Sequence, residues 1–412
     1  MTADTGRRTV LRGATVVDGR SPGPAQADVV IADGRVVDVG RGLDGDDAVD
    51  LTGRWLFPGF IDCHSHVMVS SINMLTVVNT PFSLQFYLAE QNLARTLAAG
   101  VTSVRDAGGA DLGVKVALER GLVTGPRLHI AITVLSQTGG HGDDWMVCGG
   151  AVPFLFVAHP GRPDGVCDGV EGVLRRVREV LRAGADVVKV CATGGVLSAH
   201  DDPQASQFLP DELAVAVAEA AASRKRVMAH AQGVEGIKNA IRAGVASIEH
   251  GIYLDDEAID MMLAAGTYLV PTLVAPLGVL DAPEGVAESS LRKAREVADI
   301  HRDSIRRAAE AGVRIAMGTD SGVIPHGRNL TELVQMIGLG MSPRAAVEAS
   351  TRVAAECLGV EDRRGTVEPG KDADLAVFDV DPLADPRVFA DPDRVTDVWL
   401  GGRRVKAGTA GP

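Results

Sequence analysis

The hydrophobic and polar positions in the middle of the chain follow one repeated layout. Five segments each end a helix-like run at Ala-Gly or a similar pair and continue into a short apolar run: LAAGVTSV (97–104), LRAGADVVKV (181–190), IRAGVASIEH (241–250), LAAGTYLVPT (263–272) and EAGVRIAMGTD (310–320). A helix, a glycine that ends it and a following strand make up half of a β-α-β unit. The stretches between these segments, such as EGVLRRVREVLRAG, place apolar residues three and four positions apart, as amphipathic helices do.

Three more strand-like stretches, GRWLFPGFIDCHSHV, PRLHIAITVL and KRVMAHAQG, bring the predicted strands of this region to eight. Eight alternating units over residues 58–358 predict an α/β fold, a (β/α)8 TIM barrel. A doubly wound open sheet is the structural alternative. We favour the barrel because no GxGxxG motif opens the first helix.

The two ends of the chain show a different pattern of apolar and polar residues. TVLRGATVVDGR near the start and VTDVWLGGRRVKAG near the end alternate apolar and polar residues around glycine-containing turns, which is typical of short antiparallel strands. We therefore expect one small β-sandwich built from residues 1–57 and 359–412, with the barrel inserted between them. Residues 139–169 are rich in glycine and lack periodicity, so they predict a long loop after the third strand. No sequence pattern indicates a role for residues 142–169 of this loop.

Side chains suited to metal binding recur where the predicted strands end. In FIDCHSHV, two histidines stand at i and i+2 of a strand, so both leave the same face with Cα atoms about 6.6 Å apart. The carboxyl ends of barrel strands carry the chemistry of such folds. A single histidine or aspartate there usually only packs or caps a turn. Six of them in order predict a shared metal site: His64, His66, Lys189, His230, His250 and Asp320.

Lys189 stands in the valine-rich run ADVVKVCATGG, which otherwise predicts a buried strand. A lone buried ammonium group costs several kcal/mol or loses its proton. Lys189 must therefore reach solvent, lie where its charge is needed, or be chemically modified.

Several of these motifs resemble those of one enzyme superfamily. FPGFIDCHSHV, VVKVCATGGVLS, MAHAQG, SIEHG, MGTDSG and GTVEPGKDADLAVFD resemble the metal-dependent amidohydrolase superfamily over nearly the whole chain. TGGHGD and GTDSGVIPHGRNLTEL are similar to its imidazolonepropionase-like branch, which includes Xaa-Pro dipeptidases and related carboxypeptidases.

The resemblance implies two divalent metal ions. By motif position, His64, His66 and Asp320 would hold the first ion, and His230 and His250 the second. Lys189 would react with carbon dioxide to give a carbamate that bridges both, since burial favours the neutral amine and two cations offset the new anion. The alternative is an unmodified Lys189 that pairs with Asp320 or with a substrate carboxylate. Zinc suits these donors, although manganese, cobalt and iron also accept them.

The resemblance predicts a hydrolase that cleaves an amide bond in a small molecule, a dipeptide or an N-acyl amino acid, in the manner of a metallopeptidase. A hydroxide that bridges the two metals would attack the carbonyl carbon, and Asp320 would act as general base and then acid. A mononuclear cyclic amidohydrolase or deaminase of the imidazolonepropionase type is the alternative, and the lysine on the fourth strand argues against it. A non-catalytic scaffold is the remaining hypothesis, but such proteins lose ligands that this chain keeps.

Residues outside the six predicted ligands give weaker predictions. His141 in the long loop and Tyr253 after the sixth strand are candidates to hold the developing oxyanion, and Tyr253 also to hold a substrate carboxylate. His326 and Arg328 are candidates to bind a terminal carboxylate. Each of the four could instead be a packed or solvated side chain. The loop carboxylates would favour a cationic substrate group if they face the site: Asp143, Asp144, Asp201 and Asp202.

Composition excludes several other classes of protein. The 412 residues carry a net charge of −13, which disfavours nucleic acid as a partner. No apolar run approaches the roughly 20 residues that span a bilayer, and GRRTVLRGA lacks the apolar region that an export signal needs. Five scattered cysteines favour a reducing cytoplasm over a disulfide framework. We expect a cytoplasmic homo-oligomer.

Overall fold

Helices and strands are mixed throughout the computed structural model, which describes residues 6–146, 149–150, 153, 159–198 and 201–408. The prediction of an α/β structure is confirmed. The strands are β1 Thr9–Val16, β2 Ala25–Ala32, β3 Arg35–Gly40, β4 Asp47–Asp50, β5 Trp55–Pro58, β6 Phe60–Ser65, β7 Val101–Asp106, β8 Arg127–Ile130, β9 Val134–Leu135, β10 Val187–Cys191, β11 Arg226–Ala231, β12 Ser247–His250, β13 Tyr268–Val270, β14 Leu375–Phe378, β15 Val395–Leu400 and β16 Arg403–Lys406. The helices are α1 Met74–Asn79, α2 Leu84–Ala98, α3 Leu112–Glu119, α4 Gly169–Arg182, α5 Pro210–Ala222, α6 Val234–Ala243, α7 Asp256–Ala265, α8 Val274–Asp281, α9 Glu288–Ala311, α10 Thr331–Gly338, α11 Pro343–Ala349 and α12 Arg352–Leu358, followed by short 3-10 turns at Pro386–Ala390 and Pro392–Arg394.

The strands of the middle region run parallel. Within the described ranges they form one sheet in the order β13-β12-β11-β10-β9 and another in the order β6-β7-β8. Every residue of β10 is buried, as expected for a valine-rich strand covered on both faces. The register places Cys191 opposite His230 and Ala231 opposite His250, so the carboxyl ends of neighbouring strands lie level with each other.

Residues 313–320, predicted as the last strand of this region, bond to the strands on both sides. Ala316 donates its N–H to the carbonyl of Leu269 (2.9 Å), and Cys63 donates to the carbonyl of Met317 (2.8 Å). The pairing with β13 is a single bridge at Ile315 rather than a continuous ladder. These bonds link the last strand of one parallel sheet to the first strand of the other.

Strands from both ends of the chain share one sheet. In the described part of the chain its order is β16-β15-β14-β5-β1-β2-β3, with β4 beside β1. The junction is the antiparallel pair of β5 and β14, in which Leu56 faces Val377. Leu56 and Val377 belong to a core of their own, together with Leu11, Val29 and Trp399.

The Ala-Gly pairs of the repeat end helices as predicted. Gly244 after α6 and Gly312 after α9 adopt φ values of 89° and 90°, a left-handed conformation that side chains disfavour. Each glycine turns the chain from a helix into the next strand. Among the helices of the described residues, none combines the length and the hydropathy of a transmembrane segment.

The described cysteines all carry free thiols. Cys63, Cys167, Cys191 and Cys357 are buried, and Cys148 lies outside the described residues.

Candidate metal centre and active site

A cavity of about 600 Å³ lies at the carboxyl ends of the parallel strands. Its wall contains all six predicted metal ligands and one loop histidine: His64, His66, His141, Lys189, His230, His250 and Asp320. These residues come from β6 and the residue after it, from β10, β11 and β12, from the segment before α10 and from the loop after β9. The structure therefore brings the strand-end side chains into one space.

The donor atoms lie close enough to share metal ions. Oδ1 of Asp320 lies 3.2 Å from Nε2 of His66 and 3.6 Å from Nε2 of His64. Nζ of Lys189 lies 3.5 Å from Nε2 of His64. The ring of His250 lies 5.0 Å from that of His64, between centroids, and 4.7 Å from that of His230. Donor atoms of His64, His250 and Asp320 all lie within 4.8 Å of one another.

Hydrogen bonds fix which ring nitrogen of each histidine faces the cavity. Nδ1 of His66 donates to the carbonyl of Gly108 (2.9 Å), which leaves Nε2 for a metal. His230 is reversed, because its Nε2 donates to the carbonyl of Gly194 (3.0 Å) and leaves Nδ1 free to bind. For His250, Nδ1 is engaged by a threonine hydroxyl at 2.7 Å. Ligating histidines commonly have such a partner on the second nitrogen.

Two of the strand-end residues have a strained backbone. His250 and Asp320 adopt φ values of 73° and 57°, in the left-handed region that residues other than glycine rarely occupy. Such a conformation costs about 1–3 kcal/mol and persists only where the surroundings hold it, commonly at functional sites. Asp320 is held by its own N–H, which donates to the carbonyl of His64 (2.7 Å).

The protonation states of three of the histidines and of Asp320 suit metal binding. Burial, followed by the charge of neighbouring groups, lowers the pKa of His64, His230 and His250 well below the ordinary histidine value. Burial opposes ionisation of Asp320, but its hydrogen bond to His66 and the nearby positive charges lower the pKa of its carboxyl group. Neutral imidazoles and an ionised carboxylate are the forms that bind cations.

Lys189 is buried, and burial is the main cause that lowers the pKa of its ammonium group. Glu249 and Asp320 act in the opposite direction as nearby negative charges. The neutral amine is therefore more accessible to Lys189 than to an exposed lysine.

Two buried carboxylates behind the cavity were not identified from the sequence. Glu249 contacts Nδ1 of His64 (2.7 Å) and accepts a hydrogen bond from Arg105 (2.9 Å). Asp62 accepts from the N–H of His64 (3.0 Å) and from the hydroxyl of Thr319 (2.6 Å), and burial raises its pKa to about 6. Each is a charged residue inside an apolar strand, as Lys189 is. The sequence pattern that marked Lys189 could therefore have identified both.

Three residues predicted to bind substrate do not line the cavity in the described part of the chain: Tyr253, His326 and Arg328. Tyr253 packs at the edge of an apolar cluster around Ile252. His326 is buried and donates from Nε2 to the carbonyl of Val69, and burial lowers its pKa to about 4. Arg328 is exposed and donates to the carbonyl of Ala390.

The long loop after β9 contributes to the cavity. Asp143, Asp144 and Trp145 line it, whereas residues 147–148, 151–152 and 154–158 lie outside the described residues. Asp201 lines it too, but Asp202 does not and accepts from the N–H of Gln204. One wall is apolar and is formed by side chains from α8 and several loops: Ile72, Val196, Ile252, Ala275, Val279 and Val323.

Comparison with known proteins points to one family. Residues 55–405 match the model of the amidohydrolase family. The ochratoxinase of Aspergillus niger is 37% identical over 371 residues, which cover 87% of this chain and 77% of that protein.

Two solved structures have the same fold over most of their length. The crystal structure of a prolidase complexed with N-methylphosphonate-L-proline is 36% identical, with a TM-score of 0.91 over 97% of this chain and 100% of that one. A Xaa-Pro dipeptidase with methionine bound in its active site is 33% identical, with a TM-score of 0.89 over 97% and 100% of the two chains. The resemblance found in the motifs is confirmed.

Proposed function

This chain belongs to the amidohydrolase family, and from that premise we propose that it is a binuclear metal-dependent hydrolase of a dipeptide or an N-acyl amino acid. Hydrolysis of a carbon–nitrogen bond is the activity of its relatives. The observation that carries the finer proposal is the convergence of four imidazoles, a carboxylate and a buried lysine in one cavity.

The donor set fits two divalent cations. His64, His66 and Asp320 would hold one, and the cavity-facing nitrogens of His230 and His250 the other. Imidazole nitrogen and carboxylate oxygen are good ligands for zinc. Bound cations supply two things to such a reaction, a water that loses a proton near neutral pH and a polarised carbonyl group.

Lys189 is proposed to bridge the two metal positions as a carbamate. Its neutral amine adds to the carbon of carbon dioxide and releases a proton, which gives an anionic group with two oxygen donors. The burial that lowers the pKa of Lys189, and its position 3.5 Å from Nε2 of His64, support this modification.

Asp320 is proposed to carry the proton. It takes a proton from the attacking water and passes it to the leaving amine, a role that needs an ionised carboxylate beside the reacting atoms. The position of Asp320 on the cavity wall, with Oδ1 3.2 Å from Nε2 of His66, supports that role.

The cavity suits a substrate with an apolar part. Its volume of about 600 Å³ falls within the usual range for small-molecule sites. The cavity is lined both by the apolar wall and by the polar centre, so the amide would lie at the centre with an apolar side chain or acyl group against the wall.

The scaffold is proposed to be a closed eight-stranded barrel with a sandwich of both termini attached, over the ranges 58–358, 1–57 and 359–412. Two backbone hydrogen bonds support closure, because they join residues 313–320 to the strands on both sides. Cys63 of β6 donates to the carbonyl of Met317, and Ala316 donates to the carbonyl of Leu269 in β13. The buried free thiols of the described cysteines support a reducing, cytoplasmic location.

A one-metal enzyme is the second candidate. The cluster of His64, His250 and Asp320, with donor atoms within 4.8 Å, is itself sufficient to hold a single ion. Elemental analysis discriminates the two, because the binuclear enzyme retains about two ions per chain and the alternative about one.

The test is an assay of the metal-loaded protein against a library of dipeptides and N-acyl amino acids, with release of amine as the readout. We expect turnover of members with an apolar group, and loss of turnover in Asp320→Asn. A metal-loaded protein that cleaves no member but opens cyclic amides supports the one-metal candidate. If the metal-loaded protein cleaves neither the library members nor the cyclic amides, that result supports a non-catalytic scaffold.

A further inference from the structure

A buried lysine on α9 holds the segment that follows β10. Lys293 has a side chain only 7% exposed, and its Nζ donates to the carbonyls of Gly195 (2.8 Å), Ser198 (2.7 Å) and Asp201 (2.7 Å). An ammonium group has three hydrogens, so these carbonyls use all of them. The same Nζ lies 3.3 Å from Oδ1 of Asp201, which brings the negative charge that offsets its burial.

Asp201 in turn contacts the loop histidine of the cavity. Its Oδ2 lies 3.3 Å from Nδ1 of His141, and the hydroxyl of Ser198 lies 2.8 Å from the same nitrogen. Ser198 donates its single hydroxyl proton to Oδ1 of Asp201. The hydroxyl oxygen can then only accept from His141, which places a proton on Nδ1.

The imidazole of His141 is also fixed from its faces. It stacks on His230 with ring centroids 4.2 Å apart and planes 19° from parallel. It lies against Gly195, where a Cβ atom would come within 2.1 Å of its Cε1. With Nδ1 engaged by the segment after β10, Nε2 is the ring nitrogen left to the cavity.

We propose that Asp201, held in place by Lys293, is a positioning residue that fixes the ring orientation of His141 and the proton on its Nδ1. This inference rests on the proposed function, in which the cavity holds the reacting amide. In this tautomer Nε2 accepts a hydrogen bond from an N–H or O–H group at the centre. The donation to an oxyanion predicted from the sequence requires a second proton on Nε2.

The test compares Asp201→Asn and Lys293→Met with Lys238→Met. The control removes another buried lysine, 6% exposed, whose partners Asp255 and Glu257 lie outside the cavity. Protein labelled with ¹⁵N-histidine reports by NMR which nitrogen of His141 carries the proton, with the His141 signals identified by their loss in His141→Asn. Metal content, kcat and KM are measured on the same samples.

We expect the wild-type protein and Lys238→Met to show the Nδ1–H form. Asp201→Asn and Lys293→Met should lose that form and lower kcat by about 10²-fold, the cost of misplacing a reacting group, with little change in KM or metal content. If Lys293→Met does not fold, Asp201→Asn decides alone.

An unchanged His141 spectrum in Asp201→Asn overturns the inference. So does a loss of the Nδ1–H form in Lys238→Met that equals the loss in Asp201→Asn. The spectrum does not depend on turnover. If the wild-type protein cleaves no amide while the His141 signals respond as expected, the proposed function fails and the positioning role stands.

Discussion

Oε2 of Glu249 lies 2.7 Å from Nδ1 of His64, and Oε1 of the same carboxylate accepts a hydrogen bond from Arg105. All three side chains are buried. The carboxylate therefore holds a proton on Nδ1 of His64, so that Nε2 faces the metal centre, while Arg105 balances its charge. Such carboxylate–histidine pairs orient the ligand and raise its basicity.

Replacing Glu249 with Gln should weaken metal binding. We expect a loss of about 10- to 100-fold in affinity, because the neutral amide orients His64 less strongly. Arg105 would also lose its buried counter-charge, which typically costs about 3–5 kcal/mol of stability. Chelator competition followed by elemental analysis measures the first effect, and chemical unfolding the second. The exposed Glu235→Gln serves as control, and equal metal retention in the two variants contradicts the orienting role.

Replacing Lys189 with Ala should remove the bridge between the metal positions. We expect metal content to fall to about one ion per chain or fewer and turnover to fall with it, since both sites lose a shared ligand. A short carboxylic acid added to the variant should restore part of the activity by occupying the space of the carbamate. Lys238→Ala, which removes a buried lysine elsewhere, should retain both properties. Unchanged turnover and metal content in Lys189→Ala would rule out the bridge.

Asp320→Asn should separate metal binding from proton transfer. The amide oxygen can still bind a cation, so most of the metal should remain, whereas an amide cannot carry the proton. We expect kcat to fall by about 10²- to 10⁴-fold, the usual contribution of a general acid or base. Steady-state kinetics and elemental analysis on the same sample provide the measurement. Wild-type rates in this variant remove Asp320 as the proton carrier.

The sequence was most informative for residues at strand ends, because its pattern there determines both where a residue lies and which way its side chain points. The helix–glycine–strand repeat locates each strand end, and parallel strands bring their carboxyl ends to the same level, as the register of Cys191 with His230 illustrates. Lys189 stood out because a charge in a valine-rich strand requires an explanation. The homo-oligomer and the metal count stay predictions.

Residues in the loops were harder to predict, because distance along the chain does not determine where a side chain points. His326 follows Asp320 by six residues, yet it turns to the carbonyl of Val69 rather than to the cavity. The contact of Asp201 with His141 and Lys293 joins three separate segments, and no periodicity encodes such a contact.

Glu332 should make stability depend on pH outside the metal centre. This buried residue of α10 accepts hydrogen bonds from the N–H groups of Leu273 (2.8 Å) and Val274 (2.9 Å), at the start of α8. Burial outweighs those bonds and raises the pKa of Glu332 to about 8, from an ordinary value of 4.5. Between these values the folded protein keeps a proton that the unfolded chain has lost, so the free energy of unfolding should fall as pH rises through this window.

Chemical unfolding of metal-free protein across that pH range measures this dependence. Glu332→Gln should be less stable by about 1–3 kcal/mol at low pH, because the amide accepts only one of the two N–H groups. In Glu332→Gln the free energy of unfolding should also fall less steeply as pH rises, because the contribution of Glu332 is removed. Glu235→Gln should keep the wild-type profile. Parallel profiles for the wild-type protein and Glu332→Gln would show that Glu332 is already ionised in the folded state at low pH, with its two backbone partners outweighing burial.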